Sequence, residues 1–111
     1  MARGGFPGIP GGNMQQMMRQ AQKMQQQMVA MQEELDARTY EATSGGGMVH
    51  ATVSGKRELT ALTIDPQAVD PDDVELLQDM ILAAVNEALR AGEETREREM
   101  NRVSGGMGGM F

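Results

Sequence analysis

The sequence predicts an α+β protein in the order α-βββ-α-α: a long N-terminal helix, a three-stranded antiparallel meander and C-terminal helices, assembled as a dimer. Three observations carry this. Apolar residues from Met14 to Leu35 recur in alternating steps of three and four. Residues 39–64 switch to a period of two, punctuated by Gly-containing turns. A helical period returns after Asp70-Pro71-Asp72-Asp73. The chain has 111 residues, enough for one domain, expected over residues 13–103 between a flexible arm (1–12) and a flexible tail (104–111).

The arm holds five Gly and two Pro, and the tail reads SGGMGGMF. Neither has enough apolar surface to order itself. Asn13 is a good N-cap for the first helix. Met14, Ala21, Met28 and Leu35 then fall at heptad position a, and Met17, Met24 and Met31 at d. No Gly or Pro interrupts residues 13–38, and the eight Gln among them are competent helix formers. A helix of about 25 residues is about 37 Å long. One small domain cannot easily cover such a rod, so Met17, Met24, Met28, Met31 and Leu35 are expected at a homodimer interface; a Met-rich core face within one chain is the plainer alternative.

Thr39–Thr43 is rich in β formers, and Ser44-Gly45-Gly46-Gly47 is a turn. In the strand that follows, Val49, Ala51 and Val53 share a face. Ser54-Gly55-Lys56-Arg57 turns the chain into a third strand, Glu58–Ile64, with Leu62 and Ile64 on one face. Asp70 reads as an N-cap and Pro71 as N1, with Asp72 and Asp73 in the first turn of a helix. Gly92 ends or bends that helix, and residues 93–103 are helical again.

Composition narrows the chemistry. Without Cys there is no disulfide, thiol nucleophile or thiolate metal site. Residues 1–12 have no apolar core of a signal peptide, and the apolar run Met80–Val85 is far shorter than the roughly 20 residues that span a bilayer. A cytoplasmic protein without membrane contact is expected. His50, the only His, falls on the strand face opposite Val49 and Val53, a solvent-facing position. The Asp70–Asp73 cluster is explained by capping, and Gly45–Gly47 lacks the following helix and Lys of a phosphate loop. No catalytic centre, metal, cofactor or small-molecule substrate is expected.

The charge of −6 is uneven. Residues 1–32 carry Arg3, Arg19 and Lys23 and no acid, whereas residues 33–111 carry seven cations against sixteen acids. Arg19 and Lys23, four apart, share a helix face away from the Met seam. With Arg3 they form a basic surface for phosphates, or merely a solvated face. Lys56 and Arg57 at a hairpin tip are the next candidates. Arg96, Arg98 and Arg102 alternate with acids and should self-neutralise, Glu94 with Arg98 being spaced for a pair. No aromatic stands among these cations, so stacking on single-stranded bases is not expected.

The order of elements and several strings resemble the YbaB/EbfC family of nucleoid-associated proteins. The strings are the Met/Gln-rich stretch from Asn13 to Leu35, Gly45-Gly46-Gly47-Met48-Val49, Thr63-Ile64-Asp65-Pro66, Asp70–Leu77 and Ala83–Ala88, together spanning roughly residues 13–106. The resemblance implies a small cytoplasmic homodimer that binds duplex DNA and associates with the nucleoid, without enzymatic activity. Similar proteins often carry more lysines along the first and last helices than this chain does. The expected function is duplex DNA binding, mainly through phosphate and shape contacts, with influence on nucleoid organisation and gene expression. The alternative is a protein–protein interaction module that uses the Met-rich helix as an adaptable apolar surface.

Overall fold

A computed structural model of the chain describes residues 11–103. Residues 1–10 and 104–111, where Arg3, the C-terminal tail and nearly all of the N-terminal arm fall, lie outside the described residues. Helix α1 (Gly11–Ala37) leads into a sheet of β1 (Thr39–Ser44), β2 (Val49–Ser54) and β3 (Leu59–Ile64), and helix α2 (Val74–Val103) follows. The strands lie in the order β1-β2-β3, each pair antiparallel, which is the expected meander. The molecule is drawn out, with principal extents of 88 × 24 × 16 Å.

Register follows from the two turns. The first turn uses Gly45, Gly46 and Gly47 at φ 60°, 70° and 96°, the left-handed region that glycine enters without strain. It sets Ser44 opposite Val49 and Ala42 opposite Ala51. Across the other edge, Ala51 faces Leu62 and Val49 faces Ile64, so the apolar rows of β2 and β3 point to one side. A bulge between Thr52 and Val53 shifts the pairing by one, setting Leu59 opposite Val53.

The core is small and made of short side chains. Val49, Ala51 and Val53 of β2 and Ala84 and Ala88 of α2 are at most 1% exposed. Two alanines at the contact let the α2 backbone come close to the sheet. Tyr40, Ala42, Leu77, Met80, Ile81, Val85 and Leu89 pack around them. The edge strand β3 is covered less well: Leu59 is 47% and Leu62 38% exposed, although both sit in the apolar row.

Three local expectations are corrected. α1 begins at Gly11, so Asn13 is inside the helix rather than its cap. α2 begins at Val74, three residues after Pro71, and its cap is Asp73, whose Oδ1 accepts from Leu76 N at 3.3 Å. Asp70 instead holds the preceding turn: its Oδ1 accepts from Asp72 N and its carbonyl from Asp73 N, both at 2.9 Å. Gly92 neither ends nor divides α2, which runs unbroken for 30 residues. A Cβ at Gly92 would lie 3.1 Å from the Tyr40 ring, so the glycine serves packing against β1 rather than termination.

Candidate nucleic-acid interface

The candidate cations fall into two groups with different surroundings. Arg19 and Lys23 are on the N-terminal part of α1, where every residue from Asn13 to Lys23 is exposed. This stretch projects beyond the part of α1 that Leu35 anchors, with its side chains exposed. It has no acid, because the first carboxylate of the chain is Glu33. Among the described residues, no carboxylate oxygen lies within 4.0 Å of either cationic head. At about 100° per residue the pair projects from the side of the helix opposite the Met seam.

The seam itself is covered to different degrees along its length. Met17 is 66% exposed, while Met24, Met28 and Met31 are half-buried. Leu35 is fully buried inside its own chain and anchors α1 to the body. Met14 and Met18 are also more than half exposed, which leaves the helix tip apolar on one side.

Lys56 and Arg57 occupy the tip of the β2–β3 turn. Arg57 has φ 66° and its guanidinium bonds Glu93 Oε2 at 2.6 Å, so its charge is matched. The Lys56 ammonium has no carboxylate within 4.0 Å among the described residues. Both line an open cleft of about 290 Å³ with Asp36, Gly55 and Arg96. Since Asp36 lies 13 residues beyond Lys23 along α1, the two basic groups are about 20 Å apart along the helix. One chain therefore does not merge them into a single patch.

Of the three α2 arginines expected to pair with neighbouring acids, Arg96 and Arg102 have carboxylate partners and Arg98 has none among the described residues. Arg96 reaches across to Asp36 Oδ1 at 2.6 Å, and Arg102 pairs with Glu99 at 3.5 Å. Arg98 donates to Thr95 Oγ1 at 3.3 Å instead of pairing with Glu94. Glu99 is only 9% exposed and also faces Arg38 at 3.9 Å. No spacing along the sequence signals these links between elements.

His50 sits on the outer face of the sheet as expected, with Nε2 2.8 Å from Glu41 Oε1. Among the described residues, no group of three or more His, Asp or Glu could hold a metal ion. No described helix is long and apolar enough to cross a membrane. Concavities of about 600 and 490 Å³ lie along α1, lined by Gln22, Gln26 and Val29 on one side and by Met17, Met24 and Met28 on the other. They are open grooves with no acid–base constellation.

Comparison with known proteins adds to this geometry. A model of the YbaB/EbfC DNA-binding family matches residues 11–107. A nucleoid-associated protein of Clostridium acetobutylicum is 56% identical over 107 residues, 96% of each chain. One from Clostridium novyi is 53% identical over 114 aligned positions, covering both chains completely. The crystal structure of an uncharacterized protein from Helicobacter pylori superposes with a TM-score of 0.58 at 29% identity, covering 70% of this chain and 90% of that one. The matched segment opens at Gly11, the residue where α1 begins, and takes in the sheet and all of α2. By family model and relatives alike, the chain belongs to the YbaB/EbfC DNA-binding family.

Proposed function

We propose that the chain binds duplex DNA as a homodimer, mainly through phosphate and shape contacts, with Arg19 and Lys23 of α1 as the principal phosphate ligands. The observation that carries this reading is the contrast between the helix and the body. Five of the seven cations beyond residue 32 have a carboxylate partner, whereas Arg19 and Lys23 have none among the described residues and stand on an exposed, acid-free stretch. A body carrying −9 over residues 33–111 repels phosphate, so binding must use cations held away from it. Lys56 and Arg57 add a weaker contact at the hairpin tip. Readout by shape and backbone fits because none of these cations has an aromatic neighbour in sequence. The curated relatives are named as nucleoid-associated, which supports the same location; influence on nucleoid organisation and gene expression belongs to the proposal.

Two apolar surfaces support pairing of chains. One is the Met seam of α1, with Met17, Met24, Met28 and Met31 available and Leu35 rooting the helix. The other is the open row of β3, Leu59 and Leu62, to which α2 adds the exposed Leu82. Leu82 lies seven residues before Leu89, and Leu89 lines a small cleft with Val53, Gly55 and Arg57. That spacing turns Leu82 to the same flank of α2. A mobility shift with unrelated duplexes at two salt concentrations, beside light scattering of the free protein, tests the proposal. Salt-sensitive binding by a dimer supports it; a monomer, or no binding at low salt, overturns it. The second reading, a protein-interaction module, draws on the exposed Met14, Met17 and Met18. Pull-downs with DNA and with protein from one lysate separate the two.

A further inference from the structure

Among the described residues, hydrogen bonds at its C-terminal end tie α1 to the β2–β3 turn and to α2. Arg38 N donates to Leu35 O at 3.2 Å, and Gly55 N of the β2–β3 turn donates to Arg38 O at 3.0 Å. The backbones touch here: a Cβ on Gly55 would lie 1.8 Å from Leu35 O. From α2, Arg96 Nη2 donates to Asp36 Oδ1 at 2.6 Å and to Gly55 O at 3.0 Å. One guanidinium thus ties the end of α1, the hairpin turn and α2 together. The pair is well sheltered for an ion pair, with side chains 26% and 37% exposed.

The geometry points to Arg96 and Asp36 as positioning residues for DNA binding: they touch no phosphate, and they fix the direction in which α1 carries Arg19 and Lys23. This rests on the proposed role of those two cations. Arg19 is 17 residues from Asp36, a lever of about 26 Å. A swing of about 10° at the joint moves its guanidinium by about 4.5 Å, more than the roughly 3.4 Å between successive charges along one DNA strand. Among the described residues, each position from Met14 to Lys23 is exposed, so the body does not pack over the stretch that carries the two cations. A guanidinium suits the task because its rigid fork holds two acceptors at fixed angles, which a Lys ammonium does not.

Opposite charges at the two ends of the pair make a decisive test. Removing a cation with Arg96→Gln weakens DNA binding on electrostatic grounds alone, whereas removing an acid with Asp36→Asn should strengthen it. Positioning requires both to weaken it. We expect each variant to lose about fivefold or more in duplex affinity, and the double variant to lose no more than the larger single loss. Because the chain has no Cys, Gln16→Cys with Asp79→Cys places two spin labels cleanly, and dilution into unlabelled protein isolates the distance within one chain. The distance distribution should broaden in both variants while helical content stays at the parental level. If Arg96→Gln does not fold, Asp36→Asn, which retains the bond from Arg96 to Gly55 O, carries the test. Tighter DNA binding by Asp36→Asn, or a distribution as narrow as the parent's in the folded variants, overturns the inference. If instead the parent binds DNA without needing Arg19 and Lys23, the underlying reading fails while the distance measurement still judges the joint.

Discussion

Gly55→Ala places a single methyl group where the structure has no space for one. The added Cβ would lie 1.8 Å from Leu35 O, 2.7 Å from Leu35 C and 2.8 Å from Asp36 Cα, all backbone atoms that cannot rotate away. The turn must retreat from the end of α1 by more than an ångström. That movement lengthens two hydrogen bonds, Gly55 N to Arg38 O and Arg96 Nη2 to Gly55 O, each 3.0 Å in the parent. Losing both costs about 2 kcal/mol, and overpacking adds about 1–3 kcal/mol. At roughly 4–8 °C per kcal/mol for a domain of this size, the combined loss of about 3–5 kcal/mol lowers the midpoint by roughly 12–40 °C. Thermal unfolding followed by circular dichroism, at one fixed protein concentration, measures this. Gly46→Ala is the control: its φ is 70°, but nothing lies within 4 Å of the added Cβ, so it carries only the left-handed penalty of about 1–2 kcal/mol. A Gly55→Ala midpoint within about 3 °C of the parent, or above that of Gly46→Ala, would refute the close approach.

Three further outcomes follow from the same contacts. Asp73→Ala removes the side chain that caps α2 and should cost about 1 kcal/mol, read as a lower midpoint in urea with an unchanged slope; Asp70→Ala should cost less than Asp73→Ala, and the reverse order would restore Asp70 as the cap. Met24→Asp and Leu62→Glu each put an ion on a surface proposed to meet a second chain, and both should raise the dimer dissociation constant in sedimentation; a variant that leaves it unchanged removes its own surface from the interface. Lys56→Gln should lower the slope of log K against log salt by more than Arg57→Gln does, because Glu93 already neutralises Arg57, and equal slopes would count against that distinction.

What the sequence reveals and what it hides follow from the range of the interactions. The helix of Met and Gln, the three strands and the return to helix are patterns within short windows, and each appears in the expected order with its ends displaced by a few residues. The face shared by Val49, Ala51 and Val53 is read correctly because a period of two leaves one choice of side. Gly92 misleads because a glycine that terminates a helix and one that makes room for a Tyr40 ring look alike along the chain. Asp70 misleads because three aspartates near Pro71 all suit a cap, and only the backbone hydrogen bonds choose Asp73. At the candidate interface, Arg19 and Lys23 stand out through the absence of acids before Glu33, a plain feature of composition. The link from Arg96 to Asp36 spans 60 positions and is invisible without the fold.

Reversing the charge of the exposed pair, Arg19→Glu with Lys23→Glu, and titrating duplex binding between 50 and 200 mM salt tests whether α1 carries the DNA contact. A dimer presents four such cations, and at about 0.9 per phosphate contact they contribute about 3.6 to the slope of log K against log salt. Over that fourfold range of salt the four contacts account for a change in affinity of about 150-fold. The account predicts that the double variant loses this dependence and binds unrelated duplexes more weakly, while light scattering still reports the parental dimer. Parental affinity and slope at both ends of the titration, in a folded dimer, would contradict it and pass the DNA contact to the cations of the body.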